Sequence, residues 1–245
     1  MALEAFAGLF GERWGDPPPR VLAFHGWGRT RTDLQPALGD LPVLAVDLPG
    51  FGATPAPGSA CGAAGYAELV APLLDDLAGP ALLVGHSFGG RVAVALAARH
   101  PGRVAGLVLT GVPLLRRSGR RAQPAFRFRI ARAAHRLGVL SDRRMERVRC
   151  RHGSADYRAA EGVMRDVLVT VVNETYERDL EALSAPVTLL WGRDDRTVPV
   201  EVAERAEALL SRSRLIVVES AGHDLPTQRP DTLRDVVLAH LEGAW

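Results

Sequence analysis

Apolar residues run without alternation through four short stretches in the first half of the chain: 20–24, 41–46, 81–84 and 104–110. Each is bounded by proline, glycine or a charged residue. Continuous apolar runs of this length are what a strand buried on both faces requires, so they predict a parallel sheet covered by helices on either side. Segments 32–38, 66–77 and 88–99 lie between them with helix-like spacing, the second bent at Pro72. Strand and helix alternate at crossover distance, which sets a mainly parallel sheet with right-handed connections. The alternation resumes late, with strands at 186–191 and 214–218 and helices at 200–210 and 230–241. Between 112 and 184 no strong strand appears, and 124–137, 141–149 and 155–178 have helical character. The expected architecture is one α/β domain, with core segments 1–111 and 185–245 and a helical lid at 112–184. Residues 3–15 read equally as a short edge strand or a turn of helix, ended by Pro17-Pro18-Pro19.

Composition narrows the function classes. A chain of 245 residues can bury a full core in one domain. A 47% apolar and 24% charged composition is that of a globular protein. The net charge of +2 gives no reason to expect nucleic acid as a partner. Cys61 and Cys150 are the only cysteines, so neither a disulfide framework nor a cysteine-based metal site is expected. The first six residues do not resemble an export signal, and no run reaches 18 apolar residues. The expectation is a cytoplasmic protein without stable membrane insertion. Charge is uneven, however: residues 112–184 hold 16 arginines against 9 acidic residues, near +7, leaving the remainder near −5.

The chemistry concentrates in Gly85-His86-Ser87-Phe88-Gly89-Gly90, at the end of an apolar strand and the start of a helix. Glycines two positions either side of the serine stand where side chains would collide as a strand turns abruptly into a helix. Such a turn presents Ser87 at its apex near the positive end of the helix. A serine hydroxyl needs a base to become a nucleophile. His223, in the loop Gly222-His223-Asp224 beyond the last strand, is the candidate base. The base needs an orienting carboxylate, and Asp194 and Asp195 both follow the preceding strand, with Asp195 preferred. The backbone amides of Trp27 and Phe88 are the candidate oxyanion donors, and their side chains are expected to line an acyl pocket. His25 is read as shaping the oxyanion loop, and His86 as pointing away from Ser87. His100, His135, His152 and His240 are read as surface or lid residues.

Four patterns carry a family resemblance: His25-Gly26-Trp27-Gly28; Asp47-Leu48-Pro49-Gly50-Phe51-Gly52; Gly85 to Gly90; and Gly192, Asp195 and Pro199 followed by Gly222-His223. Together they resemble the α/β-hydrolase fold superfamily, in its branch of small capped, carboxylesterase-like serine hydrolases. The resemblance implies the order Ser87, Asp195, His223 and a helical cap inserted after the sixth strand. Its Gly-x-x-Asp-x-x-x-Pro spacing selects Asp195. Because the region before Arg20 is short, one of the two antiparallel strands that open the family's sheet is expected to be missing or abbreviated.

The expected reaction is cleavage of a carboxylic ester or thioester through an acyl-enzyme, without metal or organic cofactor. The arginine excess, densest at Arg116, Arg117, Arg120 and Arg121, favours an anionic or carrier-tethered small-molecule substrate. Other readings of the same residues are a carbon-carbon bond hydrolase or related synthase on a small diacid, a serine aminopeptidase, and a non-catalytic binding protein.

Overall fold

The computed structural model describes residues 2–116, 135, 141, 143–145 and 154–245. Eight strands form one sheet: β1 (Glu4–Phe6), β2 (Leu9–Trp14), β3 (Val21–Phe24), β4 (Val43–Val46), β5 (Ala81–His86), β6 (Val104–Thr110), β7 (Val187–Gly192) and β8 (Ser213–Val218). Their order is β1-β2-β4-β3-β5-β6-β7-β8. Pairs β1/β2 and β2/β4 are antiparallel, and every other pair is parallel. The protein is thus an α/β-hydrolase fold with a mostly parallel sheet.

The opening segment is a β-hairpin, turned at Ala7 and Gly8 with φ of 48° and 85°. Both antiparallel strands are therefore present, and of the two expected outcomes it is the abbreviated strand that occurs, the first being only three residues long. The sequence left this open because the hairpin buries only Phe6, Leu9, Gly11 and Trp14, too few positions to separate a period of 2 from a helical one.

Successive residues of a strand face opposite sides of the sheet, and the core splits accordingly. Leu22, Phe24, Leu44, Val46 and Leu83 face one layer, built with α2 (Ala63–Val70), α3 (Phe88–Arg99) and α7 (Val200–Glu207). Val21, Ala23, Val43, Ala45 and Val84 face the other, built with α1 (Gln35–Leu38) and α8 (Pro230–Leu241). Burial on both faces is why these strands read as unbroken apolar runs.

Between β6 and β7 the chain leaves the sheet. The described helices there are α4 (Ala155–Ala159), α5 (Gly162–Val171) and α6 (Glu177–Ala182). The single helix expected over 155–178 is divided because Ala160 and Glu161 are extended and Gly162 takes a φ of 50°. Most of 124–137 and 141–149 lies outside the described residues.

A buried ionic cluster locks the sheet's opening edge to the loops above it. The Asp47 carboxylate, fully buried at the end of β4, accepts bonds from Arg31 Nη1 (2.7 Å) and from the amides of Arg31 and Ala53 (both 2.9 Å). Arg31 Nε and Nη2 also donate to Glu12 Oε1 of β2, at 3.0 and 2.6 Å. One guanidinium thus joins β2, the loop after β3 and the turn after β4. Arg31→Met leaves Asp47 buried without its cation and is expected to cost about 3 kcal/mol of unfolding free energy, read from urea denaturation. A loss well below about 1 kcal/mol would show that the backbone amides alone hold the carboxylate.

At the opposite end of the sheet, Thr188 Oγ1 receives N–H bonds from Trp245 Nε1 (3.0 Å) and Arg214 Nε (3.2 Å). Both lone pairs are then occupied, so the hydroxyl proton is donated to His240 Nε2, 2.9 Å away. His240, read from the sequence as a surface residue, is thus a half-buried neutral acceptor beneath the sheet. Burial first, and then Arg214, push its pKa down to about 4. The unfolded chain takes up this proton near pH 6.5. Stability is therefore complete above that pH and is lost as pH falls towards 4. His240→Gln is expected to flatten the dependence of the urea midpoint on pH across that window; an unaltered slope would assign it to other groups.

Candidate active site

Ser87 stands between β5 and α3 with φ 49° and ψ −111°. A residue with a side chain occupies this region only under constraint, at a cost of about 1–3 kcal/mol. The constraint is visible on both sides. The Ser87 amide donates to Thr110 O of β6 (2.9 Å), and the Gly89 amide to His25 O (3.1 Å). A Cβ at Gly89 would lie 2.4 Å from Phe24 O, and one at Gly85 would lie 2.5 Å from Gly90 Cα. Both glycines singled out from the sequence are therefore needed for close backbone approach.

Three side chains from distant parts of the chain meet at this turn. His223 Nε2 is 3.2 Å from Ser87 Oγ, and its Nδ1 is 2.8 Å from Asp195 Oδ2. The other carboxylate oxygen, Oδ1, accepts the amides of Thr197 (2.8 Å) and Val198 (2.7 Å). Asp195 is 4% exposed, and its position is fixed by the turn after β7. Asp194 is exposed on the other side of that turn. An acceptor on Nδ1 selects the tautomer that leaves Nε2 free to take the serine proton.

The loop after β3 presses against the serine: a Cβ at Gly26 would be 3.5 Å from Ser87 Cβ. Trp27 follows in this loop. Phe88 opens α3, where its amide has no helical acceptor. Trp27 and Phe88, whose amides the sequence offered as oxyanion donors, thus lie one residue beyond Gly26 and one residue beyond Ser87. His25 is fully buried and braces the loop by accepting the Leu48 amide at Nε2 (3.0 Å) and donating from Nδ1 to Gly26 O (2.7 Å). This is the shaping role expected of it.

Three contributors were not apparent in the sequence. His86 packs its ring against that of His223, with centroids 5.1 Å apart. Its Nδ1 is 2.9 Å from Thr110 Oγ1. It lines the site beside His223. Burial, then the neighbouring His223, push its pKa down to about 4. Thr110 is the second contributor, since it holds both the His86 ring and the Ser87 amide. Gly111 is the third: at φ 56° its missing Cβ would lie 3.0 Å from His223 Nδ1 and 3.3 Å from Asp195 Oδ2. A glycine directly after a strand was the available signal for this last one.

Trp27 stands edge-on to Phe51 and Phe88, at 5.0 and 5.3 Å between centroids, and Phe88 stands edge-on to Tyr66 at 5.0 Å. Phe88 is 3% exposed, so its side chain belongs to the core rather than to the acyl pocket. A cavity of about 340 Å³ borders this cluster, lined by Trp27, Gly28, Gly50 and Phe51 from the core and by Ala159, Ala160, Glu161 and Met164 from the insertion. Arg116 is exposed and donates to Asn173 O. Arg117, Arg120, Arg121 and Cys150 lie outside the described residues. No helix among the described residues is long and apolar enough to cross a membrane.

A pimeloyl-[acyl-carrier protein] methyl ester esterase of Neisseria meningitidis is 30% identical, with 85% of this chain and 88% of that protein covered. An esterase of Mycobacterium tuberculosis is 31% identical over 94% of this chain and 85% of that protein. The solved structure of a thermophilic esterase from Thermogutta terrifontis superposes with a TM-score of 0.70 at 27% identity, covering 96% and 93% of the two chains. Residues 21–236 match the sequence pattern that defines the alpha/beta hydrolase family. With that match spanning most of the chain and the relatives covering nearly all of it, the protein belongs to the α/β-hydrolase family.

Proposed function

We propose that this chain is a serine hydrolase that cleaves a carboxylic ester or thioester through an acyl-enzyme, with Ser87, His223 and Asp195 as its catalytic residues. The observation that carries the reading is the unbroken line from Asp195 Oδ2 through the His223 ring to Ser87 Oγ, at 2.8 and 3.2 Å. The esterases among its relatives support the same bond type.

In this mechanism His223 Nε2 accepts the hydroxyl proton as Ser87 Oγ attacks the carbonyl carbon. The amides of Trp27 and Phe88 donate to the oxygen that gains negative charge, a contribution that exists only once the tetrahedral species forms. Asp195 stabilises the imidazolium without taking its proton. The imidazolium then protonates the departing alcohol or thiol. Water, deprotonated by the same nitrogen, cleaves the acyl-enzyme and restores Ser87. Residues 112–184 act as the lid of a single domain, and the cavity beneath α4 and α5 receives part of the substrate. Its lining is apolar apart from Glu161, so a neutral acyl portion fits there better than one ending in a carboxylate.

Ser87→Ala is expected to abolish both turnover and labelling by a fluorophosphonate, and retained turnover would overturn the assignment. Asp195→Asn is expected to lower kcat by about 10⁴-fold, since the amide favours the wrong imidazole tautomer. A burst of alcohol equal to the enzyme concentration is the signature of the covalent step.

A further inference from the structure

Arg91 lies in the first turn of α3, four residues beyond Ser87, and is only 7% exposed. Burying a guanidinium is costly without a carboxylate partner, and the described ion pairs of this protein do not include one for it. Instead Nη1 donates to the carbonyl oxygen of Val171, the last residue of α5. The guanidinium carbon stands 5.7 Å from the centroid of the Tyr176 ring, and Nε is buried with no hydrogen-bond partner. Tyr176 Oη donates to Glu174 Oε2 (2.7 Å), which also accepts the Ala63 amide at the start of α2 (3.1 Å). The carbonyls at a helix's end carry partial negative charge, so Arg91 caps α5 from another element. It ties the insertion to the helix that begins at Ser87.

The opposite half of α5 forms the cavity wall. Met164 packs its thioether directly onto Gly50, in the space a Cβ there would fill, with Sδ 3.8 Å from Tyr66 Oη. Glu161 and Met164 line the cavity opposite Trp27 and Phe51. α5 spans ten residues, about 15 Å at 1.5 Å per residue, so a small tilt at its pinned end displaces Met164 appreciably. We infer that Arg91 is a positioning residue. By holding the end of α5 against the nucleophile helix it fixes the Met164 wall, and so sets the length of acyl chain admitted to Ser87.

This inference rests on Ser87 being the nucleophile, and the test separates the two. Arg91→Met and Arg91→Lys are compared with the wild type by two measurements. One is amide hydrogen exchange of residues 162–171. The other is the ratio of Ser87 labelling rates by an octyl and a methyl fluorophosphonate. The methionine removes the buried charge at similar length, whereas lysine keeps one donor without the planar fork. In Arg91→Met, faster exchange in 162–171 and a change of about tenfold or more in the octyl-to-methyl ratio are expected, with the methyl rate held within about threefold. In Arg91→Lys both effects are expected to be smaller. An unchanged ratio, equal loss of both labelling rates, or unchanged exchange overturns the inference. Should Arg91→Met not fold, Arg91→Lys decides by the same criteria at about threefold. Absence of any label in the wild type would instead remove the serine-nucleophile reading, whatever the exchange data show.

Discussion

The structure depends on how closely the helix after Ser87 approaches the sheet. At Gly89 the backbone of α3 comes so near the end of β3 that no Cβ fits, and at Gly85 the strand and helix backbones are themselves in contact. That compression holds Ser87 at a positive φ and lifts its hydroxyl clear of the sheet. It also fixes distances elsewhere, because the Gly89 amide is bonded to His25 O and the Ser87 amide to Thr110 O. The two strands flanking β5 are thereby referenced to the serine, and the loops leaving them inherit that reference.

Those loops are held by buried polar groups rather than by packing alone. The loop after β3 is gripped by His25 from below and by Arg31 from the side, with Asp47 and Glu12 dividing the guanidinium between them. On the other flank, Asp195 uses one carboxylate oxygen to fix its own turn and the other to orient His223. Asp47 and Asp195 each bind backbone amides as well as a side chain, so loop conformation and side-chain direction are set together. Electrostatic stabilisation of this kind works because the donors are in place before charge develops.

The insertion stands in a different relation to the core. Its described helices are short and amphipathic, and α5 touches the site through Met164 on Gly50 and the core through Arg91 on Val171. The site geometry therefore belongs to the sheet, and the shape of the cavity belongs to the contact between sheet and insertion. This division separates the bond that is broken from the group that is recognised.

The sequence by itself determined the layered core, since strands buried on both faces must be apolar throughout, and it determined the serine turn, since only glycine permits that approach. It also ordered Ser87, Asp195 and His223 along the chain. The preference for Asp195 over Asp194 rested on the family resemblance, whose glycine and proline spacing falls on Asp195, and it is Asp195 that meets the His223 ring. Other features were decided only by the tertiary structure. The hairpin at residues 4–14 buries too few side chains to declare its period. His86 and Gly111 became part of the site because strands distant in sequence set them beside His223. Phe88 turned into the core because Tyr66 and Trp27 enclose it. Arg91 carries no mark in the sequence: an arginine in a helix reads as solvated surface until another helix ends against it. Local backbone geometry is written in residue type and spacing, whereas contacts between distant segments exist only once the chain has closed on itself.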